Sequence, residues 1–529
     1  MRARGGLVPA LLACAAGLAQ AAALAWPGSG EPVWALQIAS LALLAALLHA
    51  APRPRTAGAL AWWFGTAWLT GTFWWLFTSL HTYGGLAAPL AMLAVLGLAV
   101  FLASYYALAG LLYRAWAPAS RFWAALLFAG LWLLAELARN SLWTGFPWGA
   151  GGYAHVDGPL AVLAPLVGVY GIGFVAAFIA MLLVGLRLPV VQSSRAWLLL
   201  AVLAMGLAAL HAWPVPTQSE SQAHPPLTLA LLQGNIPQDE KFQPGSGVPT
   251  ALHWYAQQLA SAQAALVVAP ETALPLLPQQ LPPGYLDAIA RRYGQGDQAA
   301  LIGIPLGELT AGYTNSVLGF SPGTSTPYRY DKHHLVPFGE FIPPLFRWFT
   351  ALLDIPLGDF ARGPLGQPSF LWHGERIAPN ICYEDLFGDE IAAHFRVPEA
   401  APTVLLNLSN IGWFGTGLAI DQHLQISRMR TLEFARPMVR ATNTGATAVI
   451  DHRGVVTSHL ERATRAVLLA EVRGQSGAVT PFAWWAARWR LLPLWVLGGV
   501  CMAGALLERA REARKRRKAS LQSGLDVPT

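Results

Sequence analysis

The sequence predicts a membrane bundle of about eight helices joined to one α/β layered domain. Three observations predict it. Of the 529 residues, 54% are hydrophobic and 12% charged, with mean hydropathy +0.42. A charged fraction about half the usual one places much of the chain in a bilayer. Apolar runs follow one another from residue 5 to 213, and another lies near residues 489–508. Between them, 214–478 changes texture to short β-rich runs alternating with helical patterns, as a layered α/β domain requires.

The apolar runs read as spans at 5–26, 33–51, 57–80, 85–113, 121–138, 159–186, 196–213 and 489–508. Each is close to the ~20 residues that cross a hydrocarbon core as a helix. Trp62, Trp63, Trp74 and Trp75 lie towards span ends, where interfacial aromatics sit. The first run has a basic start and the box LLAC at 11–14, as a lipoprotein signal would, but it continues well past Cys14 and reads as an uncleaved helix. The links alternate in charge. Arg2 and Arg4, Arg53 and Arg55, Arg114 and Arg121, and Arg187 and Arg195 mark one side, whereas PGSGEP at 27–32 and HTYGG at 81–85 mark the other. The positive-inside rule then puts both chain ends in the cytoplasm and residues 214–488 outside.

A net charge of +7 does not imply nucleic acid here, because much of it sits in RAREARKRRK at 509–518, directly after an apolar helix. A basic cluster in that place faces anionic lipid headgroups. There is no zinc-type cysteine spacing and no phosphate-loop glycine pattern, so neither metal nor cofactor is expected.

Within 214–478 the runs LTLALLQGNI, ALVVAPE, AALIGIP, NSVLGF, RIAPNICYE, TVLLNLSN, MVRATNTGATAVID and AVLLAEV read as strands, with helical patterns at 284–293 and 418–435. Active residues in such folds gather at strand ends. Three apolar runs end on reactive side chains: VVAPE on Glu271, IAPNICYE on Cys382, and YRYDKHHLVPFGE, which carries Lys332 and Glu340. Cys14 and Cys501 fall in apolar spans, so Cys382 has no disulfide partner in the polar part. A cysteine nucleophile needs a base, which a carboxylate supplies. A lysine can assist and can hold an oxyanion. Taken singly, each residue has a plainer reading: a buried inert cysteine, a solvated loop glutamate, a surface lysine beside two histidines.

Their order and texture resemble the nitrilase superfamily over about 225–475, which implies a Glu–Lys–Cys triad on an αββα sandwich. YDKHHLVPFGEFIP at 330–343, NICYED at 380–385, SNIGWFG at 409–415 and QHLQISRMRTLEFARPMVRATNTGATAVI at 422–450, inserted between the seventh and eighth spans, are similar to the apolipoprotein N-acyltransferase family. That resemblance implies a bacterial inner-membrane enzyme with a seven-helix bundle over 1–213, a periplasmic catalytic domain over 214–478, a final helix over 479–510 and a cytoplasmic tail over 511–529. It implies a phospholipid acyl donor, typically phosphatidylethanolamine, a thioester on the cysteine, and a diacylated apolipoprotein as acceptor. On the matching positions, Glu271 is the base, Lys332 the oxyanion-stabilising lysine and Cys382 the nucleophile. Glu340 is a further carboxylate near the lysine, and Tyr383 and Glu384 shape the pocket. Phe242 stands where the family often has Trp, Ala269 where it has Trp, and Ile411 where Asp is common, which bears on lipid preference more than on reaction type. The apolar stretch PPLFRWFTALLDIPLG at 343–358 reads either as a loop that lies on the membrane and covers the site or as ordinary packing. Two rivals are a membrane-tethered amidase acting on a small substrate and a scaffold with an inactive domain; the number of spans disfavours the first and the intact triad the second.

Overall fold

The structure, a computed structural model, describes residues 4–184, 194–212, 225–308, 310–342 and 360–523. The 214–224 linker, Arg187 and the apolar stretch 343–358 lie outside the described residues. The chain forms two units, one comprising Met1–Trp74, Ala94–Trp213 and Leu491–Thr529, the other Trp75–Leu93 and Pro214–Arg490.

The first unit is helical. Its elements are α1 (Arg4–Leu24), α2 (Trp34–Ala50), α3 (Pro54–Phe73), the larger part of α4 (Ala88–Trp116), α5 (Arg121–Ser141), α6 (Ala164–Val184), α7 (Ser194–Ala212) and a C-terminal helix, Leu492–Ser523. Among the described residues, five helices are long and apolar enough to cross a membrane unaided: Leu7–Leu24, Ala88–Trp116, Arg121–Thr144, Pro159–Val184 and Leu492–Gln522. Pro54 opens α3 at the position where a missing N–H is harmless. Small residues let α3 and α4 approach closely: a Cβ on Gly110 would lie 2.7 Å from that of Ala61. Trp68 stacks on Trp132 at 5.4 Å in the bundle interior.

The second unit is built on two six-stranded sheets. One has the order β12-β1-β2-β3-β4-β5, the other β11-β10-β9-β8-β7-β6. The strands are β1 (Leu227–Gln233), β2 (Leu266–Ala269), β3 (Ala299–Glu308), β4 (Gly312–Phe320), β5 (Tyr328–Asp331), β6 (Phe370–Trp372), β7 (Glu375–Ile381), β8 (Val404–Ser409), β9 (Met438–Thr442), β10 (Ala448–Ile450), β11 (Val456–His459) and β12 (Ala466–Val472). β1, β2 and β3 are parallel, as are β7, β8 and β9.

Alternation explains the layering. Leu227, Leu229 and Leu231 of β1 share one core with Val404, Leu406 and Leu408 of β8, so the two sheets pack face to face. Ala230 and Leu232 point the other way, into a core shared with α8 (Gly247–Ser261) and α9 (Tyr285–Tyr293). Leu405 of β8 points outward to a third core with Phe434, at the end of α10 (Leu418–Phe434), and with Phe482 and Ala486 of α11 (Pro481–Trp489). Strands buried on both faces read as continuous apolar runs, as these do. The result is a four-layer helix–sheet–sheet–helix sandwich.

Trp75–Leu93 belongs to this second unit. It contains a π-helical turn, Thr78–Tyr83. Trp75, expected among the interfacial aromatics, is instead 2% exposed. Its ring packs 4.4 Å from Phe414 and its Nε1–H donates to Gln422 Oε1 at 3.1 Å. A buried indole takes a partner for its N–H wherever one is in reach.

Candidate active site

Two of the residues singled out in the sequence, Glu271 and Cys382, emerge from the carboxyl ends of parallel strands. β2 ends at Ala269 and delivers Glu271, β7 ends at Ile381 and delivers Cys382, and β8 ends at Ser409 and delivers Asn410. Lys332 follows β5, with its backbone N–H donating to Asn315 O of the neighbouring β4 at 2.8 Å. Gly303 of β3 is needed where the Pro270–Glu271 turn passes over it. A Cβ there would overlap the Pro270 carbonyl and lie 2.7 Å from Glu271 Cα.

Cys382 sits at φ 53°, in the left-handed region that a side chain disfavours by about 1–2 kcal/mol. The turn Cys382–Leu386 starts there, so Cys382, a half-buried residue, stands at a sharp strand-to-helix corner. Its carbonyl accepts from His423 Nε2 at 3.2 Å and from Asn407 Nδ2 at 3.4 Å. Arg440 donates to His423 Nδ1 at 3.1 Å, which fixes His423 as the neutral Nε2–H tautomer. Burial, with the Arg440 charge beside it, holds the His423 pKa well below the usual range. Arg440 in turn pairs with Asp385 at 3.4 Å and with Ser427.

Two carboxylates share one ammonium. Lys332 Nζ donates to Glu340 Oε1 at 2.8 Å and to Glu271 Oε1 at 3.3 Å. The Asn315 amide donates to the same two oxygens, at 2.8 and 2.7 Å respectively. Glu271 Oε2 accepts from the Asn410 N–H at 2.7 Å, and Glu340 Oε2 from the Val336 N–H at 2.8 Å. Burial works to raise the Glu271 pKa, but Lys332, Asn315, Lys241 and the Asn410 N–H outweigh it, so the carboxyl lies below its ordinary range. Lys332 is raised: burial opposes its charge, but Glu340, Glu271 and Cys382 more than compensate. Burial pushes the Cys382 thiol up and the Glu271 charge adds to it, against Lys332; the thiol is therefore not ionised in advance.

Glu384 is buried and accepts from Tyr330 OH at 2.9 Å, Ile381 N–H at 2.6 Å, His333 N–H at 2.7 Å and His334 N–H at 3.2 Å. It ties the cysteine corner to the loop that carries Lys332. Tyr383 is buried against His334 and Phe387. Phe242 is 37% exposed, with Lys241 Nζ 5.8 Å from its ring centre.

The structure thus brings Glu271, Lys332 and Glu340 into direct contact, and places Cys382 where their charges act on its thiol. Further residues belong to the arrangement and were not singled out, among them Lys241, Asn315, Asn410 and His423. A polar side chain inside the apolar β4 run marks Asn315, and the quoted stretches at 409–415 and 422–450 contain Asn410 and His423. Lys241, beside the named Phe242, carried no signal of its own. Among the described residues no group of His, Cys, Asp and Glu has metal-holding geometry.

Comparison with known proteins bears on both units. Residues 16–182 match a family model described as apolipoprotein N-acyltransferase N-terminal domain, and residues 228–481 one described as carbon-nitrogen hydrolase. An apolipoprotein N-acyltransferase of Verminephrobacter eiseniae is 63% identical over 500 residues, covering 90% of this chain and 92% of the relative. One of Ralstonia nicotianae is 48% identical, covering 85% of each, and one of Bordetella bronchiseptica 42% identical, covering 90% of this chain and 93% of the relative.

Proposed function

The chain belongs to the apolipoprotein N-acyltransferase family, and from that premise we propose how its own residues carry the reaction. It is an acyltransferase of the bacterial inner membrane that N-acylates lipoproteins. In the proposed course, Glu271 takes the Cys382 proton as sulfur attacks the ester carbonyl of a phospholipid, typically phosphatidylethanolamine. The carbonyl oxygen becomes an oxyanion. Lys332 has three N–H groups, two of which go to Glu271 and Glu340, and the third holds the oxyanion. The ester C–O bond breaks, Glu271 returns the proton to the departing alkoxide, and a lysophospholipid leaves. The free α-amino group of S-diacylglyceryl-cysteine then attacks the thioester. Its C–S bond breaks as the amide forms, and the amine proton passes through Glu271 to the sulfur. Both half-reactions use one site in turn, a ping-pong course.

The observation that best supports this reading is the buried Lys332 bridge between Glu271 and Glu340, at strand ends beside a cysteine held in a left-handed corner. The chemistry also asks for a membrane chain, because drawing an acyl chain into water costs about 0.8 kcal/mol per CH₂. Intact-protein mass spectrometry after incubation with phospholipid tests it. A long-chain acyl adduct on Cys382 is expected, and its absence sinks the mechanism. Glu384 and the Asp385–Arg440–His423 group act as positioning residues for the cysteine corner, with Tyr383 and Phe242 as pocket walls.

His423→Leu removes a donor from the Cys382 carbonyl and should slow single-turnover acylation roughly tenfold. His423→Gln keeps a donor at the equivalent atom and should recover most of the loss. Equal rates in parent and leucine variant would show that the corner does not need His423.

For the topology we propose eight spans, the catalytic domain on the periplasmic side and both termini in the cytoplasm, with domains at 1–213, 214–478, 479–510 and 511–529. A membrane-impermeant thiol label on a cysteine engineered at 214–224 should react in intact cells once the outer membrane is opened. A cysteine at 511–529 should react only after the inner membrane is permeabilised. The reverse pattern rejects the positive-inside argument.

A further inference from the structure

Lys241 is a second lysine in the site, and it is not matched by a counter-ion. It is 2% exposed. Its ammonium makes one hydrogen bond, to the Glu271 backbone carbonyl at 3.1 Å, and among the described residues no carboxylate lies within ion-pair distance of it. Of its three N–H groups, two therefore have no acceptor among the described residues. The neighbours that could supply one are committed. Both Glu271 carboxylate oxygens are taken by Lys332, Asn315 and the Asn410 N–H. Cys382 is a neutral thiol at rest, because burial and the Glu271 charge oppose its ionisation. Buried charges are normally paired. Burial brings the Lys241 pKa down to about 7, against the pull of the Glu271 charge, and an anion placed beside the amine would favour its charged form.

The charges of the two substrates decide what that partner is. The acceptor brings an α-amine, partly an ammonium, which Lys241 repels. The donor brings a phosphodiester a few bonds from the ester under attack. We propose that Lys241 binds the phosphodiester of the acyl donor, and so orients its ester towards Cys382. This rests on the phospholipid-donor reading above. An ammonium with two open N–H groups suits two phosphate oxygens, and Phe242, lying against the lysine, is placed to pack on the glycerol portion of the same lipid. Glu271→Gln and Lys332 variants cannot reveal this role, since they disturb the proton transfer and the oxyanion instead.

The test compares two donors that differ in phosphate charge and by one methyl group: phosphatidylethanolamine and its phosphate methyl triester, presented to the full-length enzyme in the same mixed micelles. The rate of Cys382 acylation is read by intact-protein mass spectrometry. The parent should favour the charged diester by roughly 10- to 100-fold in kcat/KM, the range for loss of a charge-assisted contact. Lys241→Met should bring that ratio close to one, and Lys241→Arg should keep it. Equal use of both donors by the parent overturns the assignment without any variant, so the conclusion does not depend on Lys241→Met folding. A Lys241→Met enzyme that is slower with both donors but keeps the parental ratio also overturns it, and makes Lys241 a positioning residue for Glu271. A parent that is acylated by neither lipid overturns the donor reading itself, an outcome distinct from both.

Discussion

Cys382→Ser is expected to abolish acyl-enzyme formation, with a loss on the order of 10⁴–10⁶ in rate, the range found when a nucleophile or its base is removed. The expectation follows from the environment of the thiol. Burial and the Glu271 carboxylate already hold Cys382 in its protonated form, so the site relies on proton removal during attack rather than on a standing thiolate. A serine hydroxyl starts from a much higher pKa in the same surroundings and is the poorer nucleophile. The left-handed corner at φ 53° and its two carbonyl donors, His423 and Asn407, are compatible with either side chain, so the fold should survive and the loss should be chemical. Cys14→Ser and Cys501→Ser, both within helices of the other unit, should leave the acylation rate unchanged. Single-turnover trapping of a labelled acyl chain on the purified variants measures all three, and normal turnover by Cys382→Ser would remove the cysteine from the mechanism.

The sandwich was legible because its strands are buried on both faces. LTLALLQ, LVVA and VLLNLS are mostly apolar and, Thr228 apart, buried on both faces, and such runs between helical patterns leave few architectures. The reactive residues were legible for a related reason: Glu271 and Cys382 each interrupt the end of such a run. What the sequence withheld depends on contacts far apart along the chain. Trp75 looks like any tryptophan at the end of a membrane span, yet it packs on Phe414 and donates to Gln422, 347 positions away. Lys241 lies in a polar, turn-like stretch, where a lysine is ordinarily solvated. Only the packing of the β1 and β2 loops buries it, against the carbonyl of Glu271. The shared hold of Asn315 on Glu271 and Glu340 needs β4 to lie beside β5 and β3, a pairing that no local pattern encodes.

Glu271→Gln and Glu340→Gln should separate proton transfer from charge stabilisation, although both replace a carboxylate that touches Lys332. Their surroundings are nearly equivalent. Each carboxylate accepts from Lys332 and Asn315 on one oxygen and from a backbone N–H on the other, Asn410 for Glu271 and Val336 for Glu340. A glutamine at either position turns its NH₂ towards a donor, so both variants incur a similar structural penalty, which thermal unfolding can compare. Their chemistry differs. Glu271 is held below its ordinary pKa by Lys332, Asn315, Lys241 and Asn410 in spite of burial. It is therefore ionised through the neutral and mildly acidic range, ready to accept the Cys382 proton, and activity should fail through this group only when the pH drops below the ordinary glutamate value. Glutamine cannot accept that proton, so Glu271→Gln should lose about as much as Cys382→Ser, on the order of 10⁴–10⁶, in both acyl-enzyme formation and transfer to the amine. Glu340 takes no proton in this scheme. Its charge keeps the Lys332 ammonium charged and aimed, so Glu340→Gln weakens the oxyanion contact and should cost about 10²–10³ in rate, with slow but measurable acyl-enzyme. Glu384 takes no proton in this scheme: its oxygens accept from Tyr330, Ile381, His333 and His334 and tie the cysteine corner to the loop that carries Lys332. The measurement is single-turnover labelling of Cys382 in the two variants side by side. Parental rates in Glu271→Gln would reject it as the base, and a loss in Glu340→Gln as complete as that in Glu271→Gln would mean that the two carboxylates act as one proton-handling pair.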